Sequence, residues 1–163
     1  ELVALIRGEF PDFGIAVAGY PETHQEATSP ENDLVNLKRK VDAGADIVIT
    51  QLFYSNDDFY RFRDRCHDIG ISVPIVPGIL PALSLKQVKK ITRLCGAKLP
   101  KSFEDRLTEK PDDADWQMQV GIEQSSRQVD DLIAQDVAGL HFYVLNKSAS
   151  TSAILSSLDR LSV

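Results

Sequence analysis

The run Gly19-Tyr20-Pro21-Glu22-Thr23-His24 follows directly on the small apolar segment Phe13-Gly14-Ile15-Ala16-Val17-Ala18. A strand that ends in a phenol, a turn-forming proline, a carboxylate and an imidazole ends in side chains suited to binding and proton transfer, not to a core. In α/β proteins ligands bind at the carboxyl ends of parallel strands, where loops carry side chains that the packed sheet holds rigid. The same pattern recurs at Thr50-Gln51, Pro77-Gly78 and Leu145-Asn146-Lys147. Gln51 closes a β-branched strand, and one amide both donates and accepts. It could read the amide edge of a heteroaromatic ring or bond the neighbouring loop backbone. Tyr20 offers either a loop anchor or a face for a ring to stack on, and His24 and His141 offer either chemistry or packing. No Ser-His-Asp set, paired general-acid carboxylates or metal-ligand cluster can be assembled from these residues.

The helix that follows the first strand carries a second pattern. At about 100° per residue, Asp33, Asn36, Arg39 and Lys40 fall on one polar stripe, beside an apolar stripe of Leu34, Leu37 and Val41. The polar stripe is either a solvated face or a groove wall that holds a phosphate-bearing cofactor with two cations and two short polar groups.

The elements that must position these residues follow from period and punctuation. A helix already under way at Glu1 stops before Pro11, and strands are expected at about 13–18, Ile47–Thr50, Val73–Val76 and Gly139–Val144. Helices are expected at 32–43, ending at Gly44, and from Ser55-Asn56-Asp57 to Gly70, with Phe59, Phe62, Cys66 and Ile69 on one stripe. Another runs from Ser84 to Gly96 with Leu85, Val88, Ile91 and Cys95, and a long one covers 114–135. A closing helix from Ser150-Thr151 carries Ile154, Leu155, Leu158 and Leu161. Residues 97–113 read as a charged connector with a short helical turn at 102–107. Strands that alternate with helices imply parallel pairing and right-handed crossovers. Four such strands make either an open flavodoxin-like sheet or half of an eight-stranded barrel. The absence of a G-x-G-x-x-G phosphate loop and the polar residues after every strand favour the barrel.

With 163 residues, 43% hydrophobic and 26% charged, the chain is ordinary for one globular unit. A net charge of −6 disfavours nucleic acid or an anionic membrane as partner. No apolar run approaches a membrane span, and Cys66 and Cys95 read as core thiols of a reducing, cytoplasmic compartment. The start inside a helix, without Met, reads as a segment of a longer protein.

Five ordered blocks then carry a family resemblance. These are Ala18-Gly19-Tyr20-Pro21-Glu22-Thr23-His24-x-Glu26-Ala27, Asp33-Leu34-x-x-Leu37-Lys38-x-Lys40-Val41-x-Ala43-Gly44-Ala45, Ile49-Thr50-Gln51-Leu52-Phe53, Pro74-Ile75-Val76-Pro77-Gly78-Ile79-x-Pro81 and His141-Phe142-Tyr143-x-Leu145-Asn146. Together they resemble the methylenetetrahydrofolate reductases over essentially the whole chain. The resemblance implies an α/β fold, a (β/α)8 TIM barrel with FAD at its C-terminal mouth. Residues 1–163 would be the C-terminal half of that single domain, strands five to eight, with the N-terminal half missing. It also implies reduction of 5,10-methylenetetrahydrofolate to 5-methyltetrahydrofolate with NAD(P)H, in a protein expected to be a homo-oligomer at full length.

Tyr20, His24, Ala27, Asp33, Asn36, Arg39 and Lys40 match flavin-contacting positions of that family. Gln51, Gln87 and Lys147 match folate- or substrate-contacting ones. Lys147 stands where the family often has Arg, which loses the planar fork, and Ile91 stands where some members place a Phe. The family's general acid, a Glu ending strand one, and an Asp after strand four that tunes the flavin fall outside the chain, so the segment alone is expected to be inactive. A non-catalytic relative that serves as a binding module is the alternative.

Overall fold

The computed structural model describes residues 1–158. Its elements are α1 (Leu2–Glu9), β1 (Ala16–Gly19), α2 (Pro30–Asp42), β2 (Ile47–Leu52), α3 (Asn56–Asp68), β3 (Ile75–Ile79), α4 (Leu85–Cys95), α5 (Lys101–Thr108), α6 (Ala114–Ala134), β4 (His141–Phe142) and α7 (Ala149–Leu158). The four strands form one parallel sheet in the order β1-β2-β3-β4. A doubly wound sheet reverses its strand order at a switch point, whereas this one advances in a single direction. Right-handed crossovers then place the helices on one face. That is the winding of a TIM-barrel-like wall.

Local chemistry explains the helix starts. Ser29 and Ser84 accept the amide protons of Asn32 and Gln87 through their hydroxyls, and Asp113 accepts that of Trp116, satisfying N–H groups that a helix leaves unpaired. Ser55 stands at the N-cap of α3 but makes no such side-chain bond. On α2 the expected apolar stripe is turned inward, with Leu34 and Leu37 buried. Three hydrophobic clusters fill the space between sheet and helices. One is centred on Val17, Val48 and Phe62, one on Leu52, Val88, Phe103 and Val120, and one on Phe59, Ile79, Leu132 and Ile154. The opposite face of the sheet carries Ala16 and Ala18, both exposed, and Ile47 and Ile49, half-buried.

The strand boundaries differ from those expected. β1 begins at Ala16, because Phe13 is exposed and stacks on Phe10 at a centroid distance of 5.1 Å. Its start is fixed instead by Asp46, whose carboxylate accepts the Ile15 amide proton at 2.7 Å and the Arg7 guanidinium at 2.6 Å. β2 runs past Thr50 to Leu52. β3 begins two residues later than expected and includes Pro77-Gly78, which therefore do not form a loop. Proline is tolerated there because the β2–β3 register shifts between Ile49 and Leu52. At that irregularity the Thr50 hydroxyl accepts the Gly78 amide proton at 2.9 Å.

β4 is two residues long; the Tyr143 amide still donates to the Ile79 carbonyl at 2.8 Å, and the backbone then turns left-handed at Leu145 and Asn146, with φ of 45° and 61°. The short turn at 102–107 is a full helix, α5, held by buried Phe103 and Leu107. Ile69 ends α3 as its C-cap, Leu155 of α7 faces outward, and Leu161 lies outside the described residues. Among the described residues, no helix is long and apolar enough to cross a membrane. Cys66 is fully buried, and burial pushes its thiol up to about 12, as suits an inert core residue.

Candidate functional site at the carboxyl end of the sheet

β1 delivers Tyr20 to the carboxyl end of the sheet, and the next three residues turn the chain sharply. The Thr23 amide donates to the Tyr20 carbonyl at 3.1 Å, closing a turn with Pro21 at its second position. Thr23 itself has φ of 75°, a conformation that a β-branched residue adopts only under constraint. The constraint comes from both sides. His24 donates its amide proton to Asp33 Oδ2 at 2.9 Å, while Glu26 donates to His24 Nδ1 at 3.2 Å and Ala27 to the His24 carbonyl at 2.9 Å. The Tyr20 and His24 rings meet edge-on at 4.5 Å.

Tyr20, His24, Gln25, Gln51, Leu94 and Cys95 line one cleft of about 270 Å³. Behind it, Glu22, Thr23, Leu52 and Ala97 join some of these residues around a void of about 10 Å³. Larger depressions lie elsewhere, but they suit a ligand less. One of about 600 Å³ follows the open loop Lys110–Asp115. Another of about 470 Å³, between Arg63, His67, Ser72 and Asp136, opens where the chain enters β3 and β4, at the amino ends of those strands.

The polar stripe of α2 divides by burial. Asp33 and Lys40 are half-buried and bonded to the β1 segment, while Asn36 and Arg39 are exposed and bonded to each other at 3.1 Å. Lys40 Nζ donates to the Ala18 carbonyl at 2.8 Å, two residues before Tyr20. Burial lowers its ammonium from the usual lysine value, and the Asp33 carboxylate only partly opposes this. Lys40 is therefore a cation held near a strand end with less compensation than burial demands. Burial also raises the Tyr20 phenol, with Asp33 and then Cys95 adding to the effect. Burial likewise raises the Glu22 carboxyl, opposed by the Lys98 amide and reinforced by Asp58.

Of the sequence-predicted residues, Tyr20, His24 and Gln51 come together at the cleft, and Ala27 lies half-buried in the same loop. Gln51 uses its Oε1 to accept the Leu52 amide proton at 2.9 Å. Among the described residues its amide nitrogen makes no hydrogen bond. Gln87 lies in the first turn of α4, where its Oε1 accepts the Leu83 amide proton at 2.8 Å. Lys147 is exposed in the loop after β4. Neither Gln87 nor Lys147 lines the cleft. Cys95, expected in the core, is half-buried and does line it. Glu22 and Gln25 lay inside the motif without an assigned role. Their partners stand 68 to 76 residues away, beyond any local signal.

Comparison with known proteins places the chain. The family model described as Methylenetetrahydrofolate reductase matches residues 1–159. The 5,10-methylenetetrahydrofolate reductase of Escherichia coli K12 is 43% identical over 158 residues, 97% of this chain and 53% of that protein. Methylenetetrahydrofolate reductase (NADH) 1 of Zea mays is 41% identical over 168 residues, again 97% of this chain but 28% of its own length. The chain thus spans about half the length of the bacterial relative. A solved structure of a Clostridium thermocellum protein, described as binding two copies of 5-methyl-5,6,7,8-tetrahydrofolic acid, superposes with a TM-score of 0.66 at 16% identity. The match covers 97% of this chain and 58% of that one, and supports the fold alone. On the family match and the identities, this chain belongs to the methylenetetrahydrofolate reductase family.

Proposed function

We propose that residues 1–163 are the C-terminal half, strands five to eight, of a (β/α)8 barrel that reduces 5,10-methylenetetrahydrofolate to 5-methyltetrahydrofolate with FAD and NAD(P)H. The observation that carries this reading is the convergence of Tyr20, His24 and Gln51 on one cleft at the carboxyl end of a singly wound parallel sheet, with the undercompensated Lys40 at the same strand end. A half-buried cation whose partner is a carbonyl suits an anion such as a pyrophosphate. FAD would supply hydride transfer between nicotinamide and folate.

The chain's own residues would bind and orient. Lys40 and Arg39 would hold the phosphates, Asp33 and Asn36 would face the adjoining polar groups, and Tyr20, His24 and Ala27 would form the wall. Gln51 would present its unpaired amide N–H to the folate ring, and Gln87 and Lys147 would serve the substrate from α4 and the last loop. The proton donor is expected from the other half of the barrel, so this segment alone should be inactive.

The direct test is an FAD titration of the chain followed by flavin fluorescence. Saturable binding, weakened by Arg39→Ala and by Lys40→Ala, is expected. No binding by a chain that circular dichroism shows to be folded would sink the claim of a cofactor site in this half.

The depressed Lys40 titration gives a pH dependence with a definite sign. A bound anion raises the Lys40 pKa, so binding takes up protons between the free and bound values. FAD affinity should therefore fall as pH rises from neutral through that alkaline window. Lys40→Arg, which stays protonated, should flatten the profile. Dissociation constants measured across pH decide this, and an unchanged slope in Lys40→Arg would remove Lys40 from the phosphate site.

Gln51→Glu separates structure from recognition. The new carboxylate still accepts the Leu52 amide proton but has no donor and adds a charge. In the complete enzyme, folate affinity should drop about ten- to hundredfold with stability little changed. Equal affinity measured by equilibrium binding would dismiss the ring-reading role.

A further inference from the structure

The loop that carries Tyr20 and His24 is tied to α4 at two points that its own sequence does not announce. Gln25 Nε2 donates to the carbonyls of Arg93 and Leu94, at 3.3 and 3.1 Å, in the last turn of α4. These are carbonyls that a helix end leaves without intrahelical partners. Gly96, the C-cap, makes room for this: a Cβ there would stand 2.7 Å from Gln25 Cγ. On the other side of the turn, Glu22 reaches past the helix end, and both of its carboxylate oxygens lie 3.0 Å from the Lys98 amide. Thr23, between the two, holds its strained φ of 75°. Towards α2 the loop is also anchored, by the Asp33 carboxylate on the His24 amide and by the Asn32 side-chain amide on the Thr28 hydroxyl.

We propose that Glu22 and Gln25 are positioning residues that clamp the β1–α2 loop onto α4. The Tyr20–His24 wall of the cleft and the helix that bears Gln87 then form one rigid body. The geometry assigns them this role because the Gln25 amide nitrogen is bonded to the last turn of α4 and the Glu22 carboxylate to the Lys98 amide just beyond that helix. Glu22 acts on a ligand through Tyr20 and His24, while Gln25 lines the cleft but has its amide nitrogen committed to α4. The inference deepens the flavin-site reading above and rests on it for its consequence on affinity, although the clamp itself exists without ligand.

The test combines amide hydrogen exchange of the ligand-free chain with FAD titration, in Glu22→Ala, Gln25→Ala and the conservative Glu22→Gln. Losing one hydrogen-bonded tie should speed exchange at Thr23, His24, Ala27 and Lys98 about five- to tenfold, while β2 keeps its protection. FAD affinity should fall by a similar factor in the two alanine variants. Glu22→Gln, whose amide oxygen still accepts from Lys98, should restore both readings, a rescue that general loss of packing would not show. If Glu22→Ala does not fold, Gln25→Ala and Glu22→Gln carry the comparison. Unchanged exchange across 20–27 in the folded alanine variants, or a glutamine variant as loose as alanine, overturns the clamp. Absence of FAD binding by the wild-type chain counts against the flavin site, and the exchange data then judge the clamp separately.

Discussion

Gly121→Ala should cost about 3 kcal/mol or more of stability, the largest loss expected from adding one methyl group to this chain. A Cβ at 121 would stand 1.9 Å from the Ala82 carbonyl oxygen and 2.8 Å from its carbon. The obstacle is backbone in the loop after β3, so no rotamer change relieves it. α6 cannot retreat either. On one side of Gly121, Gln117 accepts the Leu85 amide proton through Oε1 at 2.6 Å. On the other, Gln128 donates to the Phe53 carbonyl at 3.1 Å, and Val129 and Leu132 are fully buried.

The strain should therefore be taken up by the loop that leads into α4, which loosens the cap that holds Gln87. Urea unfolding should show a lower midpoint with an unchanged slope. Gly8→Ala is the control: it lies in α1 with nothing within 4 Å of the new carbon, and should be neutral or stabilising by about 0.5–1 kcal/mol. A Gly121→Ala chain within 1 kcal/mol of wild type would show that α6 and the loop can separate.

Such close approaches mark the limit of what the sequence reveals. The helix starts behind Ser84 and at 114 were legible because each cap is a contact over three residues, whereas α2 begins at Pro30 behind Ser29, two residues before the expected 32. The parallel winding was legible because strands and helices alternate. Strand ends were not, because they depend on neighbours. Pro77-Gly78 looks like a turn in isolation and becomes strand only because Thr50, across a register shift, supplies a hydroxyl where regular pairing fails. α5 was underestimated because its stability comes from Phe103 and Leu107 meeting Val120, a contact the chain makes only when folded.

The candidate site shows the same division. Tyr20, His24 and Gln51 sit where apolar strand runs give way to polar residues, and that change of pattern is readable even though the exact strand bounds are not. The α2 stripe was also readable, but its split into a bonded, half-buried Lys40 and an exposed Arg39 depends on where the Ala18 carbonyl points. The ties of Glu22 and Gln25 to α4 bridge distant parts of the chain and carry no local signature.

Gly78→Ala should be the second most damaging methyl and the one with the more direct effect on the cleft. Its Cβ would stand 2.2 Å from the Thr50 carbonyl oxygen and 2.7 Å from Tyr143 Cε2. Which neighbour dominates can be argued from what each can do. Tyr143 lies in the half-buried segment after β4, and its ring can move outward at the loss of one hydrogen bond, from its hydroxyl to the Thr50 carbonyl at 3.0 Å. Thr50 is fully buried in a strand paired on both sides, and its own hydroxyl holds the Gly78 amide. The carbonyl cannot yield without breaking the sheet.

Gly78→Ala should therefore cost about 2–4 kcal/mol and remain nearly as costly in a Tyr143→Ala background, where the ring is gone and the carbonyl is not. A double-mutant cycle by chemical denaturation measures this. Coupling large enough to erase the penalty would place the clash on the ring. Any shift of Thr50 also moves Gln51, the next residue on the strand and a wall of the cleft. Gly78→Ala should then weaken ligand binding beyond what its stability loss explains, whereas Gly121→Ala strains the loop between β3 and α4 and should leave Gln51 where it is.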